Sequence, residues 1–314
     1  VVSFVRAGER VLAQREIYGG SHEFFTHWAP RLGLEVDWFG ANNDAEFAAG
    51  LARRPALVYL ESPTNPTLRC VDLRDAATRA RANGALTLLD GTFAGPINQR
   101  PIELGIDLVV HSATKYLAGH ADLIAGVVAG SREHIKSVWR TRKIFGGVLD
   151  AHGAFLLERS LRTLAVRMEA HNVNGLEVAR FLADHDKVER VYYPGLPAHP
   201  DHETARRQMS GYGGMVTVNV RGDGAQAIRF AENLKLFRLA PSLGGVESLV
   251  SIPATSSHYA LTAAERERAG VPDNMVRLSL GIEDAEDLIR DLDQALGRAS
   301  GRAAATAGAE RGSA

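Results

Sequence analysis

Three short aliphatic runs punctuate the first third of the chain: Leu57 to Leu60, Ala85 to Leu89 and Leu108 to Val110. Each is continuous rather than alternating, the pattern of a strand buried on both faces, and helical or turn segments separate them. The three are therefore expected to lie parallel in one sheet, joined by crossover connections. Val11 to Ala13 predicts an earlier, shorter strand. The spacing predicts helices over Asp44 to Arg54, ended by Pro55, and over Asp72 to Asn83, stopped at Gly84. Each aliphatic run then gives way abruptly to polar residues: Glu61-Ser62-Pro63-Thr64-Asn65-Pro66 after the first, Asp90 after the second, Ser112-Ala113-Thr114-Lys115 after the third. In an open α/β sheet the carboxyl ends of the strands line the ligand crevice, so these groups are candidates for one site.

Further along, Pro96, Pro101 and Gly105 argue against a continuous helix between Asp90 and Lys115, and Leu123 to Ala129 predicts a strand. Phe24, Phe25 and Trp28 have the spacing of ordinary helical packing. Arg132 to Phe145 predicts a basic, solvated helix whose other side carries Ile135, Val138 and Trp139, broken at Gly146 and Gly147. One long helix is expected from about Ala151 to Ala183, with Leu156, Leu157, Leu161, Leu164 and Met168 at helical spacing and Met168 as core filler. Past Tyr193-Pro194-Gly195 the elements shorten: strands at Met215 to Val220, Ser248 to Ile252 and Met275 to Leu280, helices at Ala225 to Leu234 and Ala285 to Leu296. The expected division is a large α/β domain over 1–150, a connecting helix and smaller α/β domain of α+β character over 151–298, and a disordered Ala-, Gly-, Arg- and Ser-rich tail over 299–314.

Composition narrows the function classes. Lys and Arg number 36 against 37 Asp and Glu, a formal net charge of −1, which offers no electrostatic footprint for nucleic acid or an anionic membrane. No apolar run approaches the length of a membrane span, and Arg6, Glu9 and Arg10 spoil any secretory signal at the start. The single cysteine, Cys70, forms no internal disulfide and suits a reducing, cytoplasmic setting. His199, Asp201 and His202 lie among prolines without further ligands, so the grouping reads as a polar loop and no metal is expected.

The reactive group of interest is Lys115. A lysine in a partly dry crevice loses its proton more easily than one in water and becomes a nucleophile towards a carbonyl. Alone it reads far more readily as a solvated turn lysine; its neighbours change that reading. Glu-Ser-Pro-Thr-Asn-Pro at 61–66, Asp-Gly-Thr-Phe-Ala at 90–94, Gln-Arg-Pro at 99–101, His-Ser-Ala-Thr-Lys-Tyr-Leu-Ala-Gly-His at 111–120, Ser-Leu-Gly-Gly-Val-Glu-Ser at 242–248 and Val-Arg-Leu-Ser at 276–279 occur in this order. Together they resemble the pyridoxal-phosphate (PLP) enzymes of cysteine and methionine metabolism, the family of cystathionine γ-lyase, cystathionine γ-synthase, cystathionine β-lyase and methionine γ-lyase.

The resemblance implies an aspartate-aminotransferase-like, fold type I PLP domain with a mostly parallel sheet over 1–150, and a small C-terminal domain. It implies Lys115 as the amine that holds the cofactor aldehyde and later moves protons, and Asp90 as the carboxylate on the pyridine nitrogen. Ser112 and Thr114 become phosphate-binding hydroxyls. Tyr18, in Ile17-Tyr18-Gly19-Gly20-Ser21, becomes the aromatic stacked on the ring with a part in catalysis, and Asn65 a further contact to ring and substrate. Arg277, with Ser242, becomes the clamp on the substrate carboxylate, and Glu247 a group near the substrate's distal end. Relatives carry a segment before the part matching Val1, with phosphate-contacting and cross-subunit residues that have no counterpart here. They form homotetramers, dimers of dimers, sharing sites across subunits. One departure is Gly91, where most relatives have asparagine after the aspartate. The expected activity is γ-elimination from a sulfur amino acid by a cytoplasmic carbon–sulfur lyase. The same residues would serve a synthase joining a thiol to an O-acylated homoserine. A catalytically silent fragment is a third possibility, and an aminotransferase on the same fold a fourth, disfavoured by the sulfur-branch strings.

Overall fold

The computed structural model describes residues 1–256, 262, 266 and 270–299. Its larger sheet contains β1 (Arg10–Gln14), β2 (Glu35–Phe39), β3 (Leu57–Glu61), β4 (Leu86–Asp90), β5 (Leu108–Ser112) and β6 (Gly126–Gly130), in the order β2-β1-β3-β4-β5-β6. The first five run parallel and β6 pairs antiparallel with β5. Both faces are covered, which explains the continuous aliphatic runs. Leu12, Val58, Leu60, Leu89 and Val109 point to one side, under α2 (Asp44–Ala52) and α3 (Leu73–Ala82). Val11, Ala13, Leu57, Tyr59, Leu88 and Leu108 point to the other, against Phe25 and Ala29. The helix starts are capped by short polar side chains: Asn43 accepts from the Glu46 N–H and Asp72 from the Asp75 N–H.

A short helix α1 (Gly19–Glu23) follows the Tyr18 turn and runs into a π-helical turn, Phe24–Trp28, that buries Phe25 and leaves Trp28 exposed. Between β4 and β5 lie only a four-residue helix, α4 (Gly95–Asn98), and a 3-10 turn, Pro101–Leu104, as the prolines demand. The strand expected over Leu123 to Ala129 begins later, at Gly126, because Ala125 is occupied with the Thr114 hydroxyl. The basic helix forms as α5 (Arg132–Phe145), yet buries no residue, and Trp139 stays half-exposed. Within one chain its apolar side finds little to pack on.

The long helix expected over 151–183 is two helices, α6 (Ala151–Leu161) and α7 (Leu164–Asp184). The break has a cause: the Ser160 carbonyl accepts from the Thr163 hydroxyl and N–H and from Arg167, and so leaves the helical ladder. Leu161 is consequently exposed, while Met168 is fully buried.

The second sheet has the order β7-β8-β11-β10-β9, built from β7 (Val188–Tyr192), β8 (Met215–Val220), β9 (Arg238–Leu239), β10 (Leu249–Ser251) and β11 (Met275–Ser279). Strand β7, with only three apolar residues, is absent from the sequence pattern. With α7, α9 (Gly224–Asn233) and α10 (Ala285–Ala299) the sheet encloses a core of Val178, Val216, Val218, Phe230, Val276, Leu278, Leu288 and Leu292, while α8 (His202–Gln208) packs elsewhere through Ala205. Of the tail expected over 299–314, Ala299 closes α10 and 300–314 lie outside the described residues. Among the described residues no helix is long and apolar enough to cross a membrane.

Leu68, Phe93, Tyr116, Leu117, Met168, Met215 and Leu243 pack together where the two sheets meet. There Asp201 accepts from Arg69, the Cys70 N–H and Asn42. His199 supports it by accepting the Asp201 N–H on Nδ1, and His202 contacts the Pro194 carbonyl. These three side chains tie together the loops that carry them.

Candidate active site

The crevice forms at the carboxyl ends of β3, β4 and β5. Strand register places Glu61 opposite Asp90 and Asp90 opposite Val110, so the polar groups after each strand emerge side by side. Lys115 follows β5 in a tight turn whose backbone N–H donates to the Ser112 carbonyl. Its side chain is half-buried, and Nζ donates to the Ser242 hydroxyl at 3.0 Å. Burial first, and the charge of Arg277 second, lower the Lys115 pKa from its ordinary value.

Asp90 sits on the adjacent strand. Its Oδ1 accepts from the Thr92 hydroxyl at 2.5 Å and the Thr92 N–H at 3.0 Å, while Oδ2 has no partner among the described residues. Desolvation raises its carboxyl, opposed by the two Thr92 bonds. Thr92 also accepts the Ser112 N–H at 2.9 Å and so joins the ends of β4 and β5. The Ser112 hydroxyl has no partner among the described residues, whereas that of Thr114 is occupied by the Ala125 N–H at 3.0 Å. Ser112 is thus the freer of the two expected phosphate-binding hydroxyls.

The smaller sheet supplies the second half of the site. Arg277, on β11, is 4% exposed and points across to the larger sheet, where Nη1 donates to Asn65 Oδ1 at 2.9 Å. Nη2 donates to the carbonyls of Pro241 and Ser242 at 3.2 and 3.3 Å, and Nε has no partner among the described residues. No carboxylate pairs with this guanidinium among the described residues. Burial accordingly lowers its pKa to about 10. A buried cation with neutral oxygen partners makes its surroundings favourable to an anion.

The 242–248 loop is bolted to the Lys115 loop. Val246 N–H donates to the Gly119 carbonyl at 2.9 Å, and Gly244, at φ +74°, would bring a Cβ within 2.7 Å of the Tyr116 nitrogen. Glycine there is a requirement of the close approach. Ser242, Glu247 and Thr114 line a cavity of about 620 Å³, together with Asp122, Asp150 and His152.

Tyr18 occupies the rim, 60% exposed, with its ring against Gly20, where a Cβ would meet Cε1 at 2.6 Å. Its backbone N–H donates to Glu61 at 2.7 Å, and the Asn65 N–H donates to the same carboxylate at 3.1 Å. All nine residues expected from the sequence thus stand at this crevice or along its cavity. Two were missed. Thr92 was discernible as the hydroxyl two residues after a strand-end aspartate, a spacing that lets it bond back to the carboxylate. Glu61 was discernible only as a carboxylate closing an aliphatic strand. The departure at Gly91 has a steric correlate: a Cβ there would stand 3.0 Å from Cε1 of the buried His111.

The family model described as Cys/Met metabolism PLP-dependent enzyme matches residues 1–297. A cystathionine gamma-lyase of Dictyostelium discoideum is 41% identical over 296 residues, covering 94% of this chain and 76% of that protein. A cystathionine beta-lyase of Lactococcus lactis is 40% identical, covering 94% of this chain and 78% of its own. The solved structure of a cystathionine gamma synthase from Xanthomonas oryzae, in complex with cystathionine, is similar with a TM-score of 0.92 at 39% identity, over 95% of this chain and 77% of that one.

Proposed function

The chain belongs to the Cys/Met metabolism PLP-dependent enzymes, and from that premise we propose that it is a carbon–sulfur lyase acting on a sulfur amino acid of the cystathionine kind, by elimination at the γ position. The observation that carries the reading is Arg277, a buried cation without a carboxylate partner, one hydrogen bond from Asn65 and lying beside the serine that holds Lys115. A carboxylate clamp and a half-dry amine in one crevice are what an α-amino acid needs to be held at one end and deprotonated at the next atom.

The crevice fits pyridoxal phosphate. Among the described residues, Asp90 keeps one carboxylate oxygen free beside the Lys115 strand, Ser112 keeps a free hydroxyl, and the Lys115 amine is held only by a serine. Lys115 would hold the aldehyde, Asp90 the ring nitrogen, Ser112 and Thr114 the phosphate, and Tyr18 the ring face. Bound there, the cofactor supplies an electron sink for the charge left at the substrate α-carbon.

The chain's own residues do the rest. Arg277 fixes the substrate carboxylate, with Asn65 and the two carbonyls fixing Arg277 in turn. Lys115, its proton loosened by burial, takes the proton from Cα and hands it on; only then, as the free amine again, does it take a second from Cβ, and that second proton goes to the departing sulfur. Ser242, 3.0 Å from Nζ, guides the amine between these positions. The cavity beyond Ser242 offers Glu247 to the distal half of the substrate.

We further take 1–150 as the cofactor domain and 151–298 as the connector and small domain, in line with the two sheets. Assembly as a homotetramer, a dimer of dimers, is supported by exposed Ile124, Trp139, Ile144, Phe145, Val148 and Phe155 around α5 and α6. A cytoplasmic setting is supported by the lone buried thiol of Cys70. The synthase reading stays as the rival, since its residues are the same and the solved cystathionine gamma synthase is so similar.

The deciding experiment offers PLP-loaded protein cystathionine, methionine, and an O-acylated homoserine with cysteine in parallel. A keto acid and free thiol from cystathionine are expected. A new thioether alone would give the protein to the synthases, and cofactor uptake without any product would make it catalytically silent.

A further inference from the structure

Glu61 closes β3 and is 4% exposed, yet no lysine, arginine or histidine pairs with it among the described residues. Its two oxygens are instead shared between two loops. Oε2 accepts the Tyr18 N–H at 2.7 Å, and Oε1 accepts the Asn65 N–H at 3.1 Å. The residue is itself registered from below: its N–H donates to Oε1 of Gln14, a fully buried side chain whose Nε2 donates to the Glu16 carbonyl. Laterally it pairs in the sheet with Asp90.

The two loops carry different parts of the site. One presents the ring of Tyr18; the other presents Asn65, whose side chain holds Arg277 at 2.9 Å. Nothing else described joins Tyr18 to Asn65 by hydrogen bonds. Holding both N–H groups takes a group with two acceptor oxygens about one carboxylate width apart. An amide has one acceptor and would turn N–H against N–H on the other side. A buried carboxylate is costly without a cation, so its presence calls for a return, and two charge-assisted bonds to backbone provide it.

We propose that Glu61 is a positioning residue that sets the spacing between the ring-stacking Tyr18 and the Asn65–Arg277 clamp, touching neither cofactor nor substrate. The inference extends the function proposed above, in which those two groups serve cofactor and substrate. The juxtaposition itself is independent of that function.

The test is made first on cofactor-free protein, by amide hydrogen exchange. In Glu61→Gln, whose amide keeps one acceptor, protection should fall at least about tenfold in one of the 16–20 and 64–67 segments, with α3 and α10 unchanged, since the buried N–H facing the amide nitrogen loses its acceptor. In Glu61→Asp, one carbon shorter, only one of the two segments should remain protected. That milder variant decides the matter should the glutamine variant fail to fold. Protection unchanged in both segments, or lost evenly across the molecule, overturns the proposal. The second readout uses the loaded enzyme: Glu61→Gln should raise KM about tenfold or more, and in combination with Asn65→Ala should add little further, because both act through Arg277. Full additivity overturns the coupling. Inactive parent protein with the segment-confined exchange pattern would remove the proposed function and leave the positioning role standing.

Discussion

Replacing Arg277 by methionine should separate stability from function. The guanidinium is buried, its pKa lowered from its ordinary value to about 10, and its partners are the neutral oxygens of Asn65, Pro241 and Ser242. At ~1.4 kcal/mol per pKa unit, burial costs the charged form about 3 kcal/mol in the ligand-free protein. Methionine removes that cost and keeps most of the packed stem. Against this, Asn65 Oδ1 loses its donor in a buried position, which costs about 1–3 kcal/mol. The two nearly cancel, so the denaturant midpoint of Arg277→Met apoprotein should lie within about 2 kcal/mol of the parent at unchanged slope.

Activity should not survive the exchange. Breaking a buried ion pair by removing one partner costs ~3–5 kcal/mol, roughly a hundred- to several-thousand-fold in kcat/KM. The assay compares the amino-acid substrate with its carboxamide analogue in both proteins. The parent should prefer the carboxylate by that factor and Arg277→Met should not discriminate. A variant that still prefers the carboxylate more than tenfold, or a variant destabilised by more than about 4 kcal/mol, would refute the idea of a cation stored for the substrate.

Lys115 should be acylated in apoprotein at lower pH than a surface lysine such as Lys136, and Arg277→Met should move its profile to higher pH by removing the nearby positive charge, as mass-spectrometric labelling would show. The linked stability has a definite sign: with the folded pKa below the unfolded 10.5, burying the protonated amine costs stability at all lower pH, and the cost fades as pH rises between the two values. Thr92→Val strips a donor from Asp90 and orphans the Ser112 N–H, so it should lower stability by about 1–3 kcal/mol and weaken PLP retention, measured by equilibrium dialysis. Gly244→Ala, forced to φ +74° against the Tyr116 nitrogen, should cost about 1–3 kcal/mol and raise KM by displacing Ser242; a stable variant with parental KM would contradict the latch. Asp201→Ala leaves the Cys70 N–H and Arg69 without their acceptor and should lower the denaturant midpoint by an equivalent of about 1–3 kcal/mol while kcat stays near that of the parent.

What could be read from the chain followed from how each element satisfies its physics locally. Strands β3, β4 and β5 are buried on both sides, so their runs are unbroken and their carboxyl ends are announced by the first polar residue. The stops Pro55 and Gly84, just past α2 and α3, mark the ends of those helices in the same local way. Where an outcome depended on a distant partner, the pattern was silent. The break between α6 and α7 follows from Arg167 reaching back to the Ser160 carbonyl and forward to those of Tyr116 and Leu117. No periodicity encodes that. Strand β7 was hidden because Glu189 and Arg190 face solvent on an edge of the smaller sheet. In α5 the apolar stripe was visible but not what covers it. Glu61 was in plain view within a quoted string, yet its work is done on backbone groups 43 residues and 4 residues away, a relation only coordinates supply.

The charges of the crevice are arranged as two unpaired halves. Lys115 and Arg277 both donate to Ser242, one to its hydroxyl and the other to its carbonyl, and Glu61 and Asp90 lie at neighbouring strand ends with N–H and hydroxyl partners. Burial pushes every one of the four towards its neutral form, the two cations down and the two carboxyls up. A fold selected only for stability would join such groups as ion pairs or remove them. Keeping the halves apart leaves the cation side open to an anion and the Asp90 side open to a cation. A molecule with a carboxylate at one end and a protonated ring nitrogen in between would satisfy both. On this reasoning cofactor and substrate together should stabilise the protein by more than the sum of their separate effects, because each restores charge that the other's partners need. Strictly additive shifts of the thermal midpoint on adding PLP and a non-reactive substrate analogue would show that the two halves do not communicate.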